Sequence, residues 1–305
     1  MPCMMSCLRR KQKRRNNIFV LPPFGLGNKG VKRTAVSMFW NAKNGRIRIG
    51  NTEMDYISFG RGKKNLIMIP GVGDGLTTVR GLAVPMAFLY RKLSDDYKVY
   101  VFSRKNHLEK GYTTKNMADD QAEAMKKLGI AKAMVIGVSQ GGMIAQHLAI
   151  DHADLVEKLV LVVTLARQNH TVQQTLGKWK VFAEQGDHKA LMIDNAEKSY
   201  SEKYLKKYRL MYPLLGVAGK PKDYERFLIQ LHSCLEHDAY DDLEKIKCPT
   251  LVIGGDRDRI VGADAAAELA GRIPNSELFI YEGLGHGLYE EAKDFISRVR
   301  FFLSR

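Results

Sequence analysis

The sequence predicts an α/β fold: a mostly parallel central sheet of about eight strands, with helices on both faces and a helical cap inserted late in the chain. Three observations lead to this prediction. Short, wholly apolar runs alternate with helical patterns, as in a sheet covered on both sides. One such run is followed by a glycine-flanked serine, Ser139, and then by a helix. The stretch 169–245 holds no clear strand, and apolar runs resume after it.

The first half of the chain supplies most of the predicted sheet. The alternating stretches 46–49 and 54–59 flank the turn 50–52, which predicts an antiparallel hairpin. The strands after it are apolar throughout, which is typical of strands buried on both faces. Further strands are predicted at 66–69, 98–102, 133–136 and 159–163, and helices at about 84–93, 118–128 and 143–149.

The second half begins with an insertion. Residues 169–245 show helical segments rich in Lys, Tyr and Met, after which strands are predicted at 249–253 and 276–281 and a closing helix at 290–303. Such a length does not fit an ordinary connection in a compact domain. Loops at the carboxyl ends of parallel strands border the ligand crevice. We therefore expect the insertion to be a cap over Ser139, within a domain spanning 38–305.

Charge is distributed unevenly along the chain. The formal net charge is +15, and residues 1–37 hold nine Lys or Arg and no Asp or Glu, which leaves +6 for the remainder. We interpret residues 1–37 as a basic, solvated and disordered extension. A contact with anionic membranes and a nucleic-acid arm are the alternative interpretations. The rest of the chain gives no reason to expect a nucleic-acid partner.

Composition bounds the class of protein. A hydrophobic content of 45% and a charged content of 27% are those of a soluble globular protein. No apolar run is long enough to cross a bilayer, so no stable membrane insertion is expected. Four scattered cysteines form neither a disulfide framework nor a metal pattern, so a reducing, cytoplasmic location is expected.

Ser139 lies in the sequence Gly137-Val138-Ser139-Gln140-Gly141. A serine at the apex of a sharp strand-to-helix turn has a strained backbone, and crowding is avoided only if the positions two before and two after lack a side chain. Such a turn projects the hydroxyl out of the sheet and aims the next backbone N–H at the same point. The pentapeptide also occurs in ordinary loops, but its flanking strand and helix indicate a nucleophile.

A serine hydroxyl needs a base, and the base works best when a carboxylate orients it. His286 is the favoured base, because it follows the last predicted strand in the glycine-flanked loop 282–287. His147 and His152 lie on the helix after Ser139 and point away from the turn, while His107 follows a strand end without further distinction. The histidines in or near the insertion, where solvent exposure is usual, are His170, His188, His232 and His237.

The candidate acid lies in the loop 254–261, which follows the strand 249–253. Asp258 is favoured over Asp256 because it precedes Ile260 and Val261, which would anchor the loop against the sheet. Either aspartate could instead be a turn-former.

The order Ser139, Asp258, His286, together with the turn around the serine, resembles the α/β-hydrolase superfamily over about residues 46–303. The resemblance implies a serine hydrolase mechanism, a cap after the sixth strand and an oxyanion hole made by two backbone N–H groups. These would belong to Gln140 and to Val72, which lies in the loop 70–75. Two departures stand out: Pro70 replaces a common histidine, and 103–107 lacks the Asp-x-Arg-Gly-x-Gly of many relatives.

The predicted function is hydrolysis of a small-molecule carboxylic ester or related acyl bond through a covalent acyl-enzyme, without metal or organic cofactor. Lactone, amide, thioester or carbon–carbon bond hydrolysis on the same triad is the alternative chemistry. A non-catalytic hydrolase-like binding protein is the alternative class. The glycine-rich loop 70–75 lacks the Lys-Ser/Thr of a phosphate loop, which argues against nucleotide binding. Substrate identity and oligomeric state are left open.

Overall fold

The computed structural model of the protein describes residues 40–305. Eight strands form one sheet in the order β1-β2-β4-β3-β5-β6-β7-β8, and only β2 runs antiparallel to its neighbours. The strands are β1 (Lys43–Ile49), β2 (Thr52–Phe59), β3 (Lys64–Ile69), β4 (Tyr97–Lys105), β5 (Ala133–Val138), β6 (Val156–Val162), β7 (Thr250–Gly255) and β8 (Ser276–Tyr281). The predicted mostly parallel sheet is confirmed.

Helices cover both faces of this sheet. They are α1 (Ala83–Leu89), α2 (Thr114–Lys127), α3 (Gln140–Asp151), α4 (His170–Glu184), α5 (His188–Ser199), α6 (Glu202–Tyr208), α7 (Tyr212–Leu215), α8 (Glu225–Leu235), α9 (Ala265–Arg272), α10 (Leu288–Glu291) and α11 (Phe295–Ser304). Two hydrophobic clusters form the core, one on each face, because the inner strands carry apolar side chains at nearly every position.

The edges of the sheet differ from its centre. In the edge strand β1 the residues are exposed or half-buried except for Ile49, whereas β2 beside it has only one exposed residue, Glu53. In contrast, β7 is buried at all six positions. The ends of the central strands β5, β6 and β7 are therefore held in place by packing. The loops that follow these strands lie close together.

Helices α4 to α8 lie between β6 and β7, at the place where the sequence predicts an insertion. A third hydrophobic cluster joins them to the ends of the strands, with Trp179, Leu176 and Phe227 from the insertion meeting Ile260 and Val261. The exact bounds of the cap, 169–245, remain a prediction. The predicted extension 1–37 lies outside the described residues.

Two helical segments differ from the sequence prediction. The alanine-rich helix α9 was not predicted, although alanine is the strongest helix former. The predicted closing helix 290–303 is two helices, α10 and α11, because Ala292 has an extended backbone and interrupts it. Within residues 40–305, no helix combines the length and the apolar character that crossing a bilayer requires.

Candidate active site

Ser139 stands at the turn between β5 and α3. Its backbone angles are φ 54° and ψ −121°, a left-handed conformation that is unusual for any residue other than glycine. Its backbone N–H donates to the carbonyl of Val162 at 2.9 Å, and its own carbonyl accepts from Thr164 Oγ1 at 2.8 Å. The strained turn is therefore held by the end of β6 and the residues that follow it.

The two glycines of the motif make this turn sterically possible. A Cβ atom at Gly137 would lie 2.4 Å from the carbonyl oxygen of Gly141, and one at Gly141 would lie 1.9 Å from the carbonyl oxygen of Ile69. Both distances are far inside van der Waals contact. An alanine at either position would push β5, α3 or β3 out of place, so the close approach requires glycine.

Asp258 and His286 form a buried pair at the carboxyl ends of β7 and β8. Nδ1 of His286 lies 2.8 Å from Oδ2 of Asp258, and the two residues are only 7% and 6% exposed. The other carboxylate oxygen accepts from the backbone N–H groups of Ile260 and Val261, at 2.8 and 3.0 Å. Both oxygens of this carboxylate therefore have partners, and the contact with Oδ2 orients the imidazole.

Asp256 has a different role. Its Oδ1 accepts from the backbone N–H of Gly283 at 2.7 Å, so it ties the loop after β7 to the loop after β8. This is a long-range bond and not the local bond of a turn-former. Asp258, the favoured acid, has the local bonds of a turn, to the N–H groups two and three residues on, and also contacts the histidine.

Ser139 and the Asp258–His286 pair lie at the same edge of the sheet, on the loops after β5, β7 and β8, with β6 between them. Within the described residues, Ser139 Oγ has no hydrogen bond to the imidazole of His286. In many enzymes this contact is long until substrate is bound. The structure therefore joins two of the three predicted residues directly and brings the third to the same edge.

Val72 and Gln140 are the first residues of two helical turns, the 3₁₀ turn Val72–Gly75 and α3. The N–H groups at such positions have no intrahelical acceptor. The two turns are adjacent, because a Cβ at Gly71 would meet Ser139 Cβ at 3.3 Å and Oγ at 3.8 Å. The two turns thus begin close to the serine, and the role of these N–H groups as oxyanion donors remains a prediction.

A polar network that the sequence did not predict lies behind these donors. Asp74 Oδ2 accepts from the backbone N–H of Arg104 at 3.0 Å and pairs with Arg226 Nη2 at 2.5 Å. The Arg104 guanidinium, fully buried, also donates to the carbonyl of Pro70 at 2.6 Å and to Gln140 Oε1 at 2.7 Å. The loop that carries Val72 and the side chain of Gln140 are therefore held by one arginine.

The same network reaches the insertion. Gln140 Nε2 donates to the carbonyl of Gln230 at 2.7 Å and to Ser233 Oγ at 3.1 Å, both on α8. Arg226 on α8 additionally donates to the backbone carbonyls of Asp74, Lys105 and Arg104. Helix α8 is thus fastened to the loop and to the residue beside the serine. We call Asp74, Arg104, Gln140 and Arg226 the Asp74 network.

The carboxylate of Asp74 and the guanidinium of Arg104 stay charged although both residues are buried. Burial by itself would raise the pKa of Asp74, but Arg226 and Arg104 outweigh it and hold that pKa below its usual value. Burial lowers the pKa of Arg104 to about 10, which still leaves the guanidinium protonated at neutral pH. Arg104 Nε and Nη1 and Asp74 Oδ1 have no hydrogen-bond partner among the described residues. The members of the network are therefore charged, and some of their polar atoms lack a hydrogen-bond partner. Each member is stabilised in its buried position by the others.

Apolar side chains surround the approach to Ser139. The third hydrophobic cluster includes Met143, Leu165 and Val261, with Val72 and Leu76 packed against it from the loop after β3. Among the aromatic cap residues, Trp179 is buried in this cluster and Phe182 packs at its margin. The apolar core of the insertion is therefore continuous with Met143 on the helix after Ser139 and with Val72.

Two histidines of the insertion contradict the expectation of solvent exposure. His188 and His237 are each only 2% exposed. His188 Nε2 contacts the carbonyl of Ala218 at 2.9 Å, and His237 Nδ1 lies 2.9 Å from Thr114 Oγ1. The expectation was wrong because both residues sit where elements pack together. Among residues 40–305, no group of three or more His, Cys, Asp or Glu is placed to hold a metal ion.

Comparison with known proteins agrees with this architecture. A family model described as the alpha/beta hydrolase fold matches residues 64–293. The proposed carbamate hydrolase RutD of Caulobacter sp. (strain K31) is 30% identical over 210 residues, which are 63% of this chain and 73% of RutD. The pimeloyl-[acyl-carrier protein] methyl ester esterase of Vibrio cholerae is 24% identical over 262 residues, or 78% of this chain and 97% of the esterase.

Solved structures show the same fold. The enol-lactonase of Burkholderia xenovorans LB400 superposes with a TM-score of 0.73 at 22% identity, covering 86% of this chain and 100% of that structure. This likeness concerns the fold alone, whereas the family model matches well over half of the chain. The protein therefore belongs to the alpha/beta hydrolase fold family.

Proposed function

We propose that this protein is a serine hydrolase that cleaves a small-molecule carboxylic ester through a covalent acyl-enzyme. Ser139 is the nucleophile, His286 the general base and Asp258 the residue that orients the imidazole. The backbone N–H groups of Val72 and Gln140 form the oxyanion hole. The single observation that carries the proposal is the buried Asp258–His286 contact of 2.8 Å at the sheet edge that also presents Ser139.

In the first step, Ser139 Oγ attacks the ester carbonyl carbon as its proton passes to Nε2 of His286. The carbonyl oxygen becomes an oxyanion between the two N–H donors, and the imidazolium is stabilised by Asp258. The imidazolium then protonates the departing alcohol. In the second step, a water gives its proton to the same imidazole and attacks the acyl-enzyme, releasing the acid and restoring Ser139.

The surroundings favour an acyl group with an apolar part. Val72 belongs both to the proposed oxyanion hole and to the margin of the apolar cluster that joins the insertion to the strand ends. An ester oxyanion at Val72 would place its acyl chain against that cluster. The relatives named above include a methyl ester esterase and a proposed carbamate hydrolase. A solved structure with a similar fold is that of an enol-lactonase. Lactone, amide, thioester and carbon–carbon bonds are therefore the competing substrate classes.

A substrate panel tests both the chemistry and the substrate class. Wild type and Ser139→Ala are assayed on p-nitrophenyl esters of increasing chain length, on lactones and on aminoacyl amides, and are labelled with a fluorophosphonate probe. We expect ester turnover and covalent labelling in the wild type, and loss of both in the variant. Ser304→Ala, at an exposed serine of α11, is the matched control and should behave as wild type.

Three results would contradict the proposal. A folded wild type that neither labels nor turns over any substrate would favour a hydrolase-like binding protein. Labelling that persists in Ser139→Ala would place the nucleophile elsewhere. Turnover of lactones or amides in preference to all esters would keep the triad and reject the ester as substrate.

A further inference from the structure

The most exposed apolar side chains of the described chain are concentrated on the insertion. Nine large hydrophobic residues of the described chain are exposed, and four of them lie between positions 210 and 217. Their exposed fractions are 84% for Leu210, 41% for Met211, 53% for Leu214 and 75% for Val217. We call these four residues the cap tip. A cluster of this kind usually marks a surface that meets another partner.

The cap tip is a short segment of chain and not one continuous helix. Leu210 lies in the 3₁₀ turn Arg209–Met211, Leu214 in α7, and Val217 in the turn that follows α7. The neighbouring Leu205 and Leu215 point inward and are only 1% and 7% exposed. The segment is therefore anchored by two leucines and presents the other apolar residues to the outside.

Within the segment itself, between Glu202 and Asp223, the charge is of one sign. Residues 203–222 contain six Lys or Arg and no Asp or Glu. Arg209 is neutralised by Glu197 at 2.9 Å and Glu202 at 2.5 Å. The five others are exposed and form no salt bridge with any described residue; they are Lys203, Lys206, Lys207, Lys220 and Lys222. An apolar centre is thus flanked by cations without counter-charges.

We propose that the cap tip docks this protein onto an anionic lipid membrane. Leucine and valine side chains would enter the boundary between headgroups and acyl chains, and the lysines would contact anionic headgroups. A nucleic acid would engage the lysines alone, since its phosphates offer nothing to the apolar residues. A second copy of the chain would bring two sets of unpaired lysines together. The docking is independent of the proposed hydrolysis.

Vesicle sedimentation with the full chain tests the proposal. The vesicles are phosphatidylcholine alone or phosphatidylcholine with phosphatidylglycerol. All proteins are compared in a background in which the basic cluster 9–15 is replaced by glutamine, because its charge alone attracts anionic vesicles. The first variant is Leu210→Ser/Leu214→Ser/Val217→Ser, and its matched control is Leu278→Ser/Phe301→Ser, at exposed apolar residues elsewhere.

A second pair of variants tests the charge. Lys206→Glu/Lys207→Glu changes the flank of the cap tip, and Lys43→Glu/Lys126→Glu makes the same change at exposed lysines elsewhere. We expect the background protein to bind the phosphatidylglycerol vesicles, and both tip variants to bind them about tenfold more weakly or worse. Both controls should stay within about twofold of the background. All variants alter exposed side chains, so unchanged melting temperatures will show that each is folded.

Several outcomes would overturn the proposal. One is the absence of binding to phosphatidylglycerol vesicles in the background protein. Another is equal loss of binding in the tip variants and their controls. Binding to a DNA duplex but not to vesicles would identify a nucleic-acid surface. A dimer that dissociates in the Leu210→Ser/Leu214→Ser/Val217→Ser variant would identify a self-association surface.

Discussion

Two buried aspartates stand at the ends of strands in this protein, and their partners differ. Asp74, after β3, faces the positive charges of Arg104 and Arg226. Asp258, after β7, faces two backbone N–H groups and the imidazole of His286. Both carboxylates are almost inaccessible, with exposed fractions of 5% and 6%. The two aspartates are equally buried and differ in the groups that surround them.

The difference teaches how burial can serve either structure or chemistry. The charge of Asp74 is already matched by permanent cations, so it holds the loop of Val72 and helix α8 in place. Asp258 accepts from two backbone N–H groups and contacts His286, so in the proposed mechanism it is available to stabilise the imidazolium. One aspartate should therefore determine stability and the other turnover.

Asp258→Asn gives the largest expected effect. An asparagine can present its NH₂ group to Nδ1 and so favour the wrong imidazole tautomer, which should lower kcat about 10⁴-fold while the fold persists. Ester hydrolysis and the melting temperature are measured together. The control is Asp256→Asn in the same loop, whose hydrogen bond goes to the backbone of Gly283. Equal losses of activity in both variants would contradict the assignment of roles.

Asp74→Asn should act on stability. It leaves the guanidinium groups of Arg104 and Arg226 buried without a counter-charge, which typically costs about 3–5 kcal/mol of unfolding free energy. Urea unfolding measures the change. Asp96→Asn, which breaks the exposed pair with Arg300, should cost about 0–1 kcal/mol. If the two substitutions destabilise the protein equally, the Asp74 network does not hold the fold.

Gln140→Met tests whether the network also positions the oxyanion hole. Methionine keeps the volume and the backbone N–H but loses the bonds to Arg104, Gln230 and Ser233. We expect kcat to fall about tenfold, equivalent to about 1.4 kcal/mol, with little change in KM.

Gln146→Met is the matched control for this experiment. Gln146 is buried on the same helix, and its amide donates to the carbonyl of Leu165 at 3.0 Å, away from the oxyanion loop. Both variants should lose some stability, but only the Gln140 variant should lose turnover. A tenfold loss of kcat in Gln146→Met as well would indicate a general effect on α3.

The last prediction concerns a histidine without a carboxylate partner. Burial, and next the neighbouring His147, lower the pKa of His237 to about 3, compared with 6.5 in an unfolded chain. The stability that its neutral form provides is complete above pH 6.5 and is lost as the pH falls towards 3. The slope of this loss is at most about 1.4 kcal/mol per pH unit.

Chemical unfolding at a series of pH values between 4 and 7 measures this slope. His237→Gln should have a smaller slope than the wild type over the same range, because it removes one proton uptake on unfolding. The groups that face His237 are Thr114, His147 and the backbone carbonyl of Leu165, and none of them carries a negative charge. Identical slopes in the two proteins would show that folding does not bury His237 in its neutral form.

Much of the sheet could be predicted because each inner strand is apolar along its whole length. The serine turn was predictable from Gly137 and Gly141, whose small size the close backbone contacts require. The choice of Asp258 over Asp256 rested on Ile260 and Val261 as apolar anchors of the loop, and both are buried. That their backbone N–H groups also donate to the Asp258 carboxylate was not predicted. The catalytic roles of these residues remain predictions.

The Asp74 network could not be predicted, and the reason is physical. Arg104 and Arg226 are separated from their partners by long stretches of chain, and arginine is normally a surface residue. Only the packed fold shows that Arg104 is fully buried. His188 and His237 were misjudged in the same way, since nothing local distinguishes a histidine that is covered by another element.

Gln140 is both the neighbour of the serine and the residue whose side chain fastens α8. Among the described residues, no hydrogen bond joins the segment from Glu202 to Leu215 to Gln140 or Arg104. We therefore expect its exposed side chains to be exchangeable without breaking the Asp74 network, provided that the buried Leu205 and Leu215 are kept. Replacing α8, in contrast, would require rebuilding Gln140 and Arg104 as well. Engineers who wish to exchange lids between relatives should therefore graft α6 and α7 and retain Glu225–Leu235 from the recipient.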